Sequence, residues 1–218
     1  MSDLELAMKY SPHIMFDKAE PFEVKGIGYS VFSRSGASKS FRRELYLNPS
    51  ETAFVIEYAV YFDYDIQHLY DLEHVWIYVD PNGNICDAEA SFHGFYLKSM
   101  ALGNCIINGG THLQIYCQPG KHAFMPDGNL FRLLPDWYLC CNMLAGAEGL
   151  LVMDMFKEYY STNDELQKRV ERYINKNYAF EPTLQFEYRP LKDNIFGTWE
   201  ELRNLIPIRI RKELSKID

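Results

Sequence analysis

Basic charge is scarce in this chain. Twenty-two lysines and arginines stand against 30 aspartates and glutamates, so the net charge is -8 and the isoelectric point is about 5.3. That balance argues against a protein that holds nucleic acid by neutralising phosphates. The nearest basic cluster, Arg209-Ile210-Arg211-Lys212, reads as the polar side of a helix, and no nucleic-acid partner is expected. Cysteine is also sparse: Cys86, Cys105, Cys117, Cys140 and Cys141 are odd in number and follow no framework spacing. Residues 1–5 carry neither the charged nor the apolar stretch of a secretory leader. Both features point to free thiols and a cytoplasmic location, with Cys140-Cys141 acting as two small buried apolar residues. The longest apolar run, Trp137 to Phe156, is interrupted by Asn142, Gly146, Glu148, Gly149 and Asp154. A membrane span needs about 20 mostly apolar residues, and charges inside one are costly. The run is therefore read as buried core, and no transmembrane segment is expected. Repeats, low-complexity tracts, Gly-x-Gly-x-x-Gly, the phosphate loop, His-Glu-x-x-His and Gly-x-Ser-x-Gly are all missing, which sets aside the functions those motifs carry.

What is present is a folded core. Hydrophobic residues make up 47% of 218 positions and aromatics 15%, a composition for a packed domain rather than a disordered chain. The reading is a single domain over 1–218, mainly β: an antiparallel β-sandwich core over about 10–125, with a helical C-terminal extension over about 135–218. Strands are predicted at 10–17, 24–32, 53–64, 72–80, 85–95 and 111–117, from their β-branched and aromatic content. Asp80-Pro81-Asn82-Gly83-Asn84 predicts a hairpin turn, because Asn-Gly takes positive φ readily. Ser161 to Lys176 has the caps and charges of a helix, and Thr198 with Glu201 opens another that Pro207 is expected to kink or split.

Asp63-Tyr64-Asp65-Ile66-Gln67-His68-Leu69-Tyr70-Asp71-Leu72-Glu73-His74 places four carboxylates and two imidazoles in twelve residues between two apolar strands. Carboxylates that close repel one another unless protons or a cation lie among them. Strand alternation sets Asp71 and Glu73 on one face and His74 on the other, while Asp63 and Asp65 share a face at the end of the preceding strand. Up to three carboxylates and the His68 imidazole then converge. Oxygen-rich ligation with one nitrogen suits Mg²⁺, Ca²⁺ or Mn²⁺ better than structural Zn²⁺. The plainer alternative is a solvated acidic turn capped by Asp65 and Asp71. His93-Gly94 and Gly120-Lys121-His122 each place a histidine beside a glycine after a strand, where a ligand can approach closely. His93 and His122 are therefore candidate proton-transfer groups, with Glu89 on the face of His93 as its orienting partner, and Lys121 reads as solvated.

His68-x-x-Asp71-x-Glu73-His74 before an apolar strand resembles the Gly-His-Arg-His-Asp-Trp-Glu region of the necrosis- and ethylene-inducing peptide-like proteins. Their vacuolar-sorting-type relatives share an opening like Ser11 to Glu20, an Asp-x-Glu-His strand, a Ser-x-His-Gly like Ser91 to Gly94 and a Gly-x-His-Ala like Gly120 to Ala123, in the same order. The resemblance implies a β-sandwich and a divalent cation, Mg²⁺ or Ca²⁺, held by Asp65, His68, Asp71 and Glu73. In the secreted toxins it further implies binding of sphingolipid sugar head groups. Tyr70 and Leu72 replace the family's second His and its Trp, and the C-terminal helices are additional.

Two functions follow as expectations. The first is a divalent-cation-binding protein whose cation helps hold a sugar- or phosphate-bearing small molecule or lipid head group. The alternative is a metal-dependent hydrolase of a phosphoester, in which His93 or His122 moves protons. Self-association through the C-terminal helices, giving a homo-oligomer, accompanies a third, structural use of the cation.

Overall fold

The computed structural model describes residues 1–103 and 105–217. In chain order its strands begin β1 (His13–Asp17), β2 (Gly26–Phe32), β3 (Gly36–Ala37), β4 (Glu44–Leu45), β5 (Phe54–Tyr64), β6 (His68–Val79) and β7 (Ile85–Phe92). They continue as β8 (Phe95–Lys98), β9 (Ile107–Asn108), β10 (His112–Cys117), β11 (Phe124–Met125), β12 (Gly149–Leu150), β13 (Phe186–Tyr188) and β14 (Phe196–Thr198). The α-helices are α1 (Asp3–Lys9), α2 (Asp164–Tyr178) and α3 (Trp199–Leu214).

The larger sheet runs β14-β2-β5-β6-β7-β8 with β12 beside β6, and the second runs β11-β10-β1-β13 with β9 beside β10. Their facing sides share one core. Ile14 and Phe16 of β1 and Ile115 and Cys117 of β10 belong to the same buried cluster as Val60, Phe62, Val75 and Ile77 of β5 and β6. The Phe16 and Phe62 rings meet edge-on at 6.3 Å. The chain is thus mainly β, with two sheets around one core and its longer helices toward the C-terminal end. It is not wholly antiparallel: β1 with β10, β6 with β12 and β2 with β14 are parallel pairs.

β5 and β6 form the longest hairpin, and almost every residue in them is buried. One side faces the second sheet. The other lies partly under the β3–β4 hairpin, where Leu45 packs with Val55, Trp76 and Tyr78, and partly under α3. Burying such side chains contributes about 1.5–3 kcal/mol each, so this hairpin is the rigid element on which side chains at its end are held.

The Asp80–Asn84 turn forms as predicted, with Gly83 at φ 85° and the Asp80 N–H donating to the Asn84 carbonyl at 2.9 Å. α1 was not anticipated, although Ser2 and Glu5 form a capping box at its start. Pro207 does not split α3, which runs unbroken through it. The C-terminal third holds α2 and α3, but it also returns β12, β13 and β14 to both sheets. The apolar run 137–156 is only half interior: Cys140, Cys141, Leu150 and Phe156 are buried, whereas Met143 is 79% exposed. Its short 3-10 turns present side chains to several directions, so hydrophobicity alone did not set burial there.

Candidate functional site

Three residues, 65–67, join β5 to β6, and the Asp65 N–H donates to the His68 carbonyl at 2.9 Å. The Asp65 carboxylate accepts the Gln67 N–H at 2.6 Å, as a turn-capping aspartate does. It is not a solvated cap, however, since Asp65 is only 1% exposed. Asp63 and Asp65 do not share a face. Asp63 turns to α3, where Arg209 grips it through Nε at 2.7 Å and Nη2 at 2.6 Å. That bidentate pair removes Asp63 from the cluster and leaves Asp65 as its upstream carboxylate.

The second contribution comes from the loop between β10 and β11. Gly120 adopts φ 68° and His122 φ 58°. A Cβ on Gly120 would lie 2.7 Å from Ile66 Cβ, so the loop's backbone seats directly on the β5–β6 turn. The Gly120 carbonyl accepts the Ile66 N–H at 2.7 Å, and the Gly120 N–H donates to Glu20 Oε2 at 2.7 Å. This seating delivers two side chains to the carboxylates. Lys121 Nζ donates to Asp65 Oδ1 at 2.9 Å, and His122 Nδ1 lies 3.2 Å from Asp71 Oδ2. The His122 ring stacks on Phe62 at 3.7 Å between centroids.

Asp65, Asp71 and His122 present one ligand atom each, all within 4.8 Å of one another. The two carboxylates at that spacing suit a hard divalent ion. Of the four residues expected as ligands, Asp65 and Asp71 belong to this group, while His68 and Glu73 of the same hairpin line the adjoining cavity. His68 Nε2 is 3.7 Å from Asp65 Oδ1, while His68 Nδ1 pairs with the Tyr70 carbonyl at 2.7 Å, which orients the ring. The Ser91 hydroxyl donates to Glu73 Oε2 and holds that carboxylate in place.

Charge is tightly balanced. Burial alone would lower His122, but the Asp71 and Glu20 carboxylates outweigh it and push the imidazole up to about 10. Asp71 is held below its usual value: burial opposes ionisation, and the His122 hydrogen bond overcomes it. Burial raises Glu73 well above the usual carboxylate range, reinforced by the charge of Asp71.

The carboxylates open into a cavity of about 860 Å³, lined among others by Asp65, His68, Asp71, Glu73, His93 and Lys121. His93 takes φ 49° beside Gly94 at φ 81° in the turn between β7 and β8, and its Nε2 lies 2.8 Å from Gln118 Oε1. Two of the sequence expectations need correction. Glu89 does not orient His93: its carboxylate is held by Arg43 at 2.6 Å, by the Tyr78 hydroxyl at 2.8 Å and by Lys98 at 3.1 Å, and it lines a different cavity. His122 is fully buried behind the cavity wall, so it positions Asp71 rather than exchanging protons with a substrate. Lys121, read as solvated, has only 11% of its side chain exposed. Its part was missed because the strand pattern around 63–74 says nothing about a loop some 50 residues downstream. The Gly-x-His signal at 120–122 marked the loop but not its target.

No protein-family model matches the chain, and no curated protein matches it. Among solved structures it is similar to one described as NLPPya in complex with glucosamine, at 21% identity and a TM-score of 0.37. The match covers 56% of this chain and 66% of that one. NLPPya in complex with mannosamine matches at 22% identity and a TM-score of 0.36, over the same shares. A structure described as a toxin fold for microbial attack and plant defense matches at 21% identity and 0.36, covering 56% of this chain and 68% of that one. The chain thus spans about two thirds of the structures it matches. These are structures of the necrosis- and ethylene-inducing peptide-like kind, the group that the ordered motifs also resemble.

Proposed function

We propose that this protein binds a sugar-bearing ligand through a divalent cation held at the end of the β5–β6 hairpin. The observation that carries this reading is the convergence of the Asp65 and Asp71 carboxylates, backed by His122, at the wall of a cavity of about 860 Å³. His68 and Glu73 complete the set from the same hairpin. A divalent ion, Mg²⁺, Ca²⁺ or Mn²⁺, would supply a charge centre there that orients ligand oxygens. His122 holds Asp71, Ser91 holds Glu73, and Gln118 holds His93 in the lining of the same cavity.

Charge favours a hydroxylated ligand over a phosphate. Apart from Glu73, five carboxylates line the cavity (Asp65, Asp71, Asp136, Glu148 and Asp154) against the cations Arg42 and Lys121. Carboxylates accept hydrogen bonds from sugar hydroxyls and repel an anion. The solved structures with glucosamine and mannosamine support the same class of ligand. Leu151 and Met153 at the cavity lining are exposed, which suits a sugar carried on a lipid. No helix among the described residues is long and apolar enough to cross a membrane.

The test is metal content and thermal stability of the wild type beside Asp71→Asn. An ion at 100 times its Kd should stabilise the wild type by about 2.7 kcal/mol, and Asp71→Asn should lose both the ion and the increment. A wild type indifferent to Mg²⁺, Ca²⁺ and Mn²⁺ would overturn the reading. The hydrolase alternative predicts divalent-dependent turnover of a phosphoester that His93→Ala abolishes; sugar binding without turnover rules it out.

A further inference from the structure

One carboxylate oxygen of Asp65 already has a cation on it. Lys121 Nζ sits 2.9 Å from Asp65 Oδ1, with the two side chains 11% and 1% exposed. This is not a surface pair formed by chance. Gly120 and His122, both at positive φ, fix the backbone on either side of Lys121, and the Gly120 contacts with Ile66 and Glu20 lock that backbone to the site. His122 Nδ1 likewise lies 3.2 Å from Asp71 Oδ2. Both carboxylates thus have a partner supplied by one short loop.

We infer that Lys121 is a tethered cation that competes with the divalent ion for Asp65. The inference rests on the reading that Asp65 and Asp71 bind that ion. An ammonium and a divalent ion held on the same carboxylate repel each other. Entry of the ion therefore drives the Lys121 ammonium off Asp65 and into the cavity that its side chain lines. Two consequences follow. The fold does not depend on the ion, since Asp65 has a partner without it. The ion binds more weakly than the ligand set alone would allow, because displacing the buried ion pair opposes binding.

The experiment compares full-length wild type, Lys121→Met and Lys121→Arg by calorimetric titration with Mg²⁺ and Ca²⁺, alongside melting temperatures with and without each ion. Lys121→Met should bind at least one ion tenfold or more tightly than the wild type. It should also melt lower than the wild type in divalent-free buffer and recover most of the gap when saturated. Lys121→Arg, which keeps the charge, should stay within about threefold of the wild type. Equal or weaker ion binding by Lys121→Met, in a wild type that does bind, would overturn the inference and leave the cation site standing. Absence of binding in all three proteins would overturn the cation site itself. Should Lys121→Met fail to fold, Lys121→Gln, an uncharged side chain able to hydrogen-bond Asp65, carries the same comparison.

Discussion

Gly120→Ala tests whether the loop that delivers Lys121 and His122 is seated as tightly as its geometry requires. Two costs add. A non-glycine residue at φ 68° pays about 1–2 kcal/mol for the left-handed conformation. The new Cβ would also stand 2.7 and 2.8 Å from Ile66 Cβ and Cγ2, and overpacking of that kind costs about 1–3 kcal/mol. The expected loss is about 2–5 kcal/mol, a large part of the 5–15 kcal/mol typical of a domain. In a chain of this size it lowers Tm by roughly 4–20 °C. Gly110→Ala is the control: its φ is 79° but nothing lies within 4 Å of its added Cβ, so it should show the backbone cost alone. Urea denaturation of the two variants and the wild type gives the difference directly, provided the m-values agree. The reasoning fails if Gly120→Ala is no less stable than Gly110→Ala.

Arg209→Met should destabilise by about 3 kcal/mol, since it leaves the Asp63 carboxylate buried without its bidentate partner. Ion affinity should be unchanged, and calorimetry showing a parallel loss would return Asp63 to the site. His74 supplies a pH test. Burial drives its imidazole down to about 4, partly offset by Glu57 and Asp71. A histidine whose folded value is depressed contributes stability above its unfolded value near 6.5, and that stability is lost as pH falls toward the folded value. Between pH 6.5 and pH 5 this amounts to about 2 kcal/mol. His74→Phe, which retains an aromatic ring beside Phe41 and Trp76, should be less sensitive to acid by that amount in urea titrations at the two pH values. Equal slopes in the two proteins would show that His74 is not held neutral.

The elements legible in the sequence were those whose signal is local. The alternation and β-branching of 53–64 and 72–80, the Asn82-Gly83 turn, and the capped helices at 164–178 and 199–214 all lie within short windows, so propensity and periodicity suffice to find them. The same windows place Asp71 and Glu73 on one strand face, and the short connection places Asp65 beside them. Periodicity misled where the backbone departs from the strand, as at Asp63 and Asp65: the turn rotates Asp65 inward while Asp63 stays on the side covered by α3. It misled again at Glu89 and His93, because the turn at 93–94 reverses direction after Phe92.

Composition and local pattern alone thus determined that this chain folds as a mainly β protein with an acidic, histidine-bearing hairpin end. Only the tertiary structure decided which groups neutralise that end. Arg209 lies 146 positions from Asp63, Lys121 lies 56 from Asp65, and His122 lies 51 from Asp71. Such pairings depend on how two sheets and a helix stack, and no local propensity encodes them. The physical reason is that a buried carboxylate must find a counter-charge somewhere in the folded chain, and the fold, not the neighbouring sequence, selects which one.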